Sequence, residues 1–380
     1  MFKAVKLRLY PNLQQEELLR QNAGCVRWVY NYFLDKRIKN YEKTGKAPSK
    51  CELMKQLPKL KKKQPWLAEV DSTSLQQTIH NLDQAYQNFF RRVKSGEKSG
   101  FPKFKKKGVR DSFRCVMNLG SDGSYLRIGK HGWIKCRGNH ELLENQKIKS
   151  ITVSLDASQW FASCLIELPD EKPEHIHKHL VAGVDVGVKK PLTVAYNDKT
   201  IVLGRKFSAD LAVKEQRRKR YQRQLARKQK GSHNRQRAKG KVARAFQRER
   251  NLRRNWIEQT SCKLARTFET VKFEDLKLSS MTRSAKGTVE SPGVNVKAKS
   301  GLNRELLRLG LSGLMVRTEQ KAIELGGIVV YVNPAYTSQT CSSCGTIDKH
   351  SRKSQAKFQC VACGLRINAD RNAAINILSS

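Results

Sequence analysis

The chain has 380 residues, with 75 Lys and Arg against 33 Asp and Glu, a formal net charge of +42. That length suffices for two or three domains with cores of their own. The charge, spread from end to end, excludes an electrostatically self-sufficient globule: so basic a body repels itself unless a polyanion neutralises it, and nucleic acid does so with release of condensed counterions.

No continuous apolar run opens the chain, and none approaches the roughly 20 residues of a membrane span. The ten cysteines are therefore expected as reduced thiols in a cytosolic protein. In chain order, residues 3–9 alternate polar and apolar side chains and stop at Tyr10-Pro11, a short strand. From Leu13 to about Arg92 apolar residues recur at helical spacing, with Asp71-Ser72 as a start signal for the second helix. Residues 42–65, Lys-rich and holding Pro48, Pro58 and Pro65, predict an irregular connection between the helices. The segment 101–107 reads Phe-Pro-Lys-Phe-Lys-Lys-Lys. Its Lys103, Lys105, Lys106 and Lys107 suit a groove that tracks a phosphate backbone while the rings stack on bases; the competing reading is a solvated basic turn. Residues 125–128, 133–136, 148–155 and 161–168 predict hairpins that, with the first strand, close a small barrel. Residues 171–179 read as a polar linker, its alternating His175, His177 and His179 solvated rather than metal-binding.

Beyond it, residues 181–188, 192–196 and 201–207 predict three consecutive strands. The tract 211–254 holds eighteen Lys or Arg and two acids, Glu215 and Glu249. Its helix-favouring composition predicts a helical arm that turns Arg217, Arg218, Arg220, Arg223 and Arg227 toward phosphates, disorder being the alternative. A strand at 270–273, a helix from about Arg304 to Leu325, a buried strand at 328–332 and a helix at 369–378 complete a mixed α/β sheet. Residues 284–300, small and polar, predict a mobile loop.

Two Cys-x-x-Cys knuckles, Cys341/Cys344 and Cys360/Cys363, stand fifteen residues apart, each followed by a glycine (Gly345, Gly364). Four thiolates at this spacing close a tetrahedral site with no open position, the way structural zinc is held; a redox pair or an iron–sulfur cluster are the competing readings. Three acids stand out. Asp185 lies in the middle of an apolar strand between Gly183 and Gly187, where a carboxylate is costly unless a cation meets it; an Arg partner would serve as well as a metal held against a phosphate. Asp370 shares a helix face with Ala373, Ala374 and Ile377, although an acid in a first turn is also favoured by the helix dipole. Glu274 and Asp275 end the 270–273 strand, and alternation does not choose between them. Three acids on separate elements of one sheet are able to hold two divalent ions about 4 Å apart at a phosphodiester. Oxygen-only ligands favour Mg²⁺ or Mn²⁺.

The ordered set Gly183-Val-Asp-Val-Gly187, Phe273-Glu-Asp-Leu276, the double knuckle and Asn368-Ala-Asp-Arg-Asn-Ala-Ala-Ile-Asn-Ile-Leu378 resembles the TnpB (OrfB) family of insertion-sequence proteins, which are similar to type V CRISPR effector nucleases. Leu7-Arg-Leu-Tyr-Pro11, Phe101-Pro-Lys-Phe-Lys105 and Ser338-Gln-Thr-Cys-Ser-Ser-Cys-Gly345 carry the same likeness. The resemblance implies a RuvC/RNase H-like nuclease with Asp185, Glu274 and Asp370 as catalytic, Mg²⁺-binding acids, selecting Glu274 over Asp275. It further implies one structural zinc on Cys341, Cys344, Cys360 and Cys363. A wedge β-barrel (residues 1–12 and 100–178) would be interrupted by a helical recognition segment (13–99), and a nuclease domain (179–335 and 367–380) by the zinc ribbon (336–366). A guide RNA from the end of the element and double-stranded target DNA are the implied partners, one protein chain per RNA, with cutting beside a short adjacent motif. The helix region 302–325 matches the family loosely, which leaves its part in gating cleavage open. Two other functions compete: a nuclease-inactive RNA-guided repressor, which would lack one of the acids, and a transposase or transposition accessory protein. The latter would use the same acids or a nucleophilic tyrosine such as Tyr331 or Tyr336.

Overall fold

A computed structural model describes residues 2–109, 111–167, 173–276, 281–282, 285, 287 and 292–380. The chain divides into two compact units, Met1–Asp170 and Glu171–Ser380.

The first unit is built on a seven-stranded sheet in the order β2-β6-β7-β1-β5-β4-β3, antiparallel throughout. The strands are β1 (Phe2–Tyr10), β2 (Ser112–Cys115), β3 (Leu119–Asp122), β4 (Tyr125–Ile128), β5 (Trp133–Arg137), β6 (Ile148–Asp156) and β7 (Gln159–Glu167). Alternation does the sorting: Val5, Leu7 and Leu9 of β1 and Trp160, Ala162, Cys164 and Ile166 of β7 are buried in one core. The strands β2 and β3 were not expected, because four residues each, with Arg114, Gly120 and Ser121 among them, leave too little apolar alternation to read. Between β1 and β2 run α1 (Leu13–Thr44), α2 (Lys50–Lys63) and α3 (Ser72–Lys94). The helix α2 corrects the irregular connection expected over 42–65. Ser49 and Glu52 form a capping box at its start, and Leu53, Leu57 and Leu60 are buried. Pro58 inside the helix costs about 3 kcal/mol, less than three buried leucines return at roughly 1.5–3 kcal/mol each.

The second unit carries a five-stranded sheet in the order β10-β9-β8-β11-β12. β8 (Val181–Val186), β9 (Leu192–Tyr196) and β10 (Lys199–Leu203) form an antiparallel meander, and β11 (Thr270–Glu274) and β12 (Ile328–Val332) run parallel to β8. The third strand stops four residues short of Phe207. Gly204 turns the chain at φ 90° and α4 (Arg205–Ala226) begins, so Phe207 instead stacks on Trp256 of α5 (His233–Thr267) at 4.3 Å. The helix expected from Arg304 to Leu325 is two helices, α6 (Val296–Leu309) and α7 (Leu311–Glu324), broken at Gly310 (φ 72°). A side chain at Gly310 would meet Arg253 Cδ at 2.7 Å, and Arg253 Nε donates to the Arg308 carbonyl at the break (2.7 Å). The expected mobile loop 284–300 overlaps α6 from Val296; residues 284, 286 and 288–291 lie outside the described residues. The chain ends with β13 (Lys357–Gln359), β14 (Arg366–Asn368) and α8 (Ala369–Ser379).

One linker residue is no linker residue. His175 is buried and its Nε2 lies 2.8 Å from the Ala265 carbonyl, whereas His177 and His179 are exposed. Among the described residues no helix is long and apolar enough to cross a membrane.

Candidate acidic site and four-cysteine centre

The acidic site forms where β8 and β11 end side by side. Their parallel register pairs Val184 with Phe273, so Asp185 and Glu274, the next residues of each strand, emerge as neighbours. Asp370 arrives from α8, in the first turn of a helix packed on β8, β9 and β11. The packing is backbone to backbone: a Cβ on Gly183 would stand 2.7 Å from Leu378 Cα and closer still to the Ala374 carbonyl. The missing side chain thus admits the helix. Lys272 Nζ donates to the Leu378 carbonyl (2.9 Å) and ties the far end of α8 to β11.

Asp185 feels both of the other carboxylates. Asp185 is pushed from an ordinary value of 3.8 up to about 7, first by burial and then by the charges of Glu274 and Asp370, with Arg352 and Lys190 opposing. Glu274 is also raised, by burial, against a hydrogen bond from Thr337 and the charge of Arg352. Asp275 is exposed, and its backbone N–H donates to the Val332 carbonyl (2.8 Å). Its charge acts on Tyr331 instead. The donor set fits a hard divalent cation: oxygen ligands only, crowded and largely withdrawn from water, with their like charges unfavourably close. Their oxygens are spaced more openly than the thiols described next, which form the one group of three or more such ligand atoms, among the described residues, all within 4.8 Å of one another.

The fold adds three residues to this site. Arg352 and Thr337 flank the first knuckle, and Lys190 sits in the β8–β9 turn, its Nζ 2.9 Å from Asp370 Oδ2. Nothing local marks them; only long-range folding brings them to the acids.

Cys341, Cys344, Cys360 and Cys363 converge as a group able to hold one metal ion. Cys341 and Cys363 sulfurs lie 3.6 Å apart, as do those of Cys344 and Cys360. The two knuckles repeat one geometry. Gly345 and Gly364 have φ 74° and 71°, and their N–H groups donate to Cys341 and Cys360 carbonyls at 3.0 and 3.2 Å. Few apolar groups support this segment: its core holds Phe358 and Ala369 beside the buried cysteines.

The basic candidates separate into free and engaged cations. Lys103, Lys106 and Lys107 are exposed. Lys105 is a pin: its Nζ lies 4.2 Å from the Tyr30 ring, its backbone is bonded twice to the Asn31 side chain (2.8 and 2.9 Å), and burial lowers its pKa. In the α4–α5 hairpin Arg220, Arg223 and Arg227 are exposed, as is Arg217, although its Nε donates to the Tyr221 hydroxyl (3.0 Å). Arg218 is not available: it bonds both Glu249 oxygens (2.8 and 3.0 Å) and lies over Phe246, locking the two helices. Along the hairpin run two adjoining hollows of about 600 and 550 Å³ that share Gln224 and Lys241 and carry Arg217, Arg220, Arg227 and Arg237.

Known proteins and family descriptions place this architecture. The OrfB/IS605 "Helix-turn-helix domain" matches residues 1–46, the OrfB/IS605 "Probable transposase" residues 163–285, and the "Cas12f1-like, TNB domain" residues 313–377. A relative from Escherichia coli (strain K12), provisionally named RNA-guided DNA endonuclease InsQ, is 36% identical over 384 residues, covering 100% of this chain and 92% of the relative. A provisionally named RNA-guided DNA endonuclease from Streptomyces pristinaespiralis is 29% identical, covering 100% and 89%. The protein of a cryo-EM Cas12f1–sgRNA–target DNA complex superposes with TM-score 0.60 at 16% identity, over 99% of this chain and 98% of that one. The mini RNA-guided endonuclease Cas_phi3 superposes with TM-score 0.53 at 10% identity, over 99% and 92%; both likenesses are of fold. The chain belongs to the TnpB (OrfB) family, related to type V CRISPR effectors.

Proposed function

We propose that this chain is an RNA-guided, divalent-metal-dependent DNA endonuclease of a transposable element, acting in the cytoplasm on double-stranded DNA next to a short adjacent motif. One observation carries the reading: three acids from distant parts of the chain gather at one sheet end, where burial first, and the charges of Glu274 and Asp370 after it, lift the carboxyl of Asp185 to about 7. Asp185, Glu274 and Asp370 would hold the metal in a RuvC-like domain. Divalent ions bound there would align a water and the leaving oxygen at a phosphodiester. Thr337 orients Glu274, and Arg352, beside two of the acids, offers positive charge to the phosphate being cut.

The four cysteines would hold one structural zinc, and the segment they fold delivers Arg352 to the acids. The sheet of the first unit would serve as the wedge barrel, and α1 to α3 as the recognition segment. Exposed Arg217, Arg220, Arg223 and Arg227, with Lys103, Lys106 and Lys107, suit the backbones of guide RNA and target. The names of the full-length relatives, and the RNA and DNA in the Cas12f1 complex, support guiding. A tyrosine-nucleophile transposase is less well supported: the Tyr331 hydroxyl bonds Glu319 (3.3 Å), and burial raises its pKa.

Co-expression with the native flanking DNA, purification and sequencing of bound RNA tests the reading. One discrete RNA class is expected, whereas random fragments would indicate a plain basic binder.

A further inference from the structure

The turn joining β8 to β9 is closed by the Gly187 N–H on the Pro191 carbonyl (3.3 Å). It is tight enough that a Cβ on Gly187 would stand 2.9 Å from the Lys190 carbonyl. This turn folds Lys190 back over the sheet end. Its ammonium lies 2.9 Å from Asp370 Oδ2 and donates to Asn368 Oδ1 at 2.8 Å. Both ionic side chains retain about a fifth of their exposure (22% and 21%), so the pair is accessible without being fully solvated. The other cation of the site, Arg352, acts on Asp185 and Glu274, leaving Lys190 as the direct partner of Asp370.

A divalent ion needs carboxylate oxygens at about 2.1 Å in near-octahedral order. The ammonium stands on one of the groups that ion would use. On that oxygen the ammonium competes with the ion for the same negative charge, and an ammonium displaced from it passes to water or to another anion. The polyanion that must cross the same acids is the nucleic-acid backbone.

Resting on the assignment of the three acids as metal ligands, we propose that Lys190 is a built-in counter-cation: it holds Asp370 while no metal is bound, yields it to the entering divalent ion, and moves to a substrate phosphate. Metal loading and substrate engagement are thereby coupled through one side chain.

The test is Lys190→Met, which keeps the stem and removes the charge, with Lys190→Arg as the charge-retaining control. Mn²⁺ binding to the full chain without DNA, followed by electron paramagnetic resonance, is expected to tighten roughly five- to tenfold in Lys190→Met and to stay at the wild-type level in Lys190→Arg. Cleavage of a matched duplex by the guide-loaded Lys190→Met protein at saturating Mg²⁺ is expected to slow by about tenfold. A lysine with a merely structural role would move both readouts downward. Mn²⁺ affinity that is unchanged or weaker overturns the proposal, and tighter binding with undiminished cleavage overturns the transfer to phosphate. Tightened binding that survives in a Lys190→Met/Asp370→Asn double variant would instead overturn the assignment of Asp370 as a ligand.

Discussion

Gly183 of β8 and Leu378 of α8 meet backbone to backbone, with no room between them for even a methyl group. This contact sets the distance between the strand that carries Asp185 and the helix that carries Asp370. A Gly183→Ala substitution should push α8 off the sheet, destabilise the second unit by about 3 kcal/mol, and abolish cleavage at temperatures where the protein remains folded. Urea melts and a cleavage assay of the same preparation check both effects. A stable variant that cuts normally would show that the helix tolerates displacement.

Stability should depend on pH through Asp185. A carboxyl whose pKa rises on folding is neutral and costs nothing below its unfolded value near 3.8; it loses stability as pH climbs through its folded value of about 7. In Mg²⁺-free buffer, Asp185→Asn should therefore be more stable than wild type at pH 8, by roughly 2–4 kcal/mol, and about equal to it near pH 4. Thermal melts across that range decide; curves that stay parallel would mean the carboxyl ionises normally. For the same reason Mn²⁺ binding by the wild type should strengthen as pH rises through 7.

The arginines of the hairpin should divide by role. Neutralising Arg220, Arg223 and Arg227 together is expected to weaken RNA binding and flatten its dependence on log salt by about two units, at roughly 0.7–0.9 per lost phosphate contact. Folding should be untouched. Arg218→Ala should do the reverse, because it strands Glu249, whose side chain is 6% exposed, at a cost of about 3 kcal/mol. Filter binding at several salt concentrations and thermal melts separate the two classes.

Removing the thiolate of Cys360 should unmake the four-cysteine segment, whose apolar core is too small to fold unaided. The Cys360→Ser protein is expected to lose one zinc per chain by elemental analysis and to become protease-sensitive within residues 336–366. It should also lose cleavage, as Arg352 leaves the acids. Retained zinc with full activity would contradict a structural metal here.

The sequence showed what depends on local pattern. β1, β8 and β11 announced themselves by alternation, and the knuckles by spacing. Asp185 and Asp370 showed as acids in apolar surroundings. What it concealed depends on competition between local and long-range terms. Pro58 advertised a break that the burial of Leu53, Leu57 and Leu60 overrules, whereas Gly310, unremarkable in a leucine-rich stretch, does break a helix because Arg253 fills the space beside it. His175 reads as a solvated group and Lys105 as a phosphate contact until their partners, Ala265 and Tyr30, arrive from 90 and 75 residues away. Arg352, Thr337 and Lys190 could be assigned to the acids only once the sheet was assembled. Between Glu274 and Asp275, adjacent and chemically alike, the family resemblance alone made the choice; in the fold, Glu274 is the one whose charge reaches Asp185.

That last distinction offers the most direct measurement. Wild type, Glu274→Gln and Asp275→Asn ribonucleoproteins are to be incubated with matched duplex and Mg²⁺, with target binding measured alongside. Glu274→Gln should bind the duplex as wild type does and leave it uncut, while Asp275→Asn cuts at the wild-type rate. Undiminished cutting by Glu274→Gln would contradict the assignment of the acidic site.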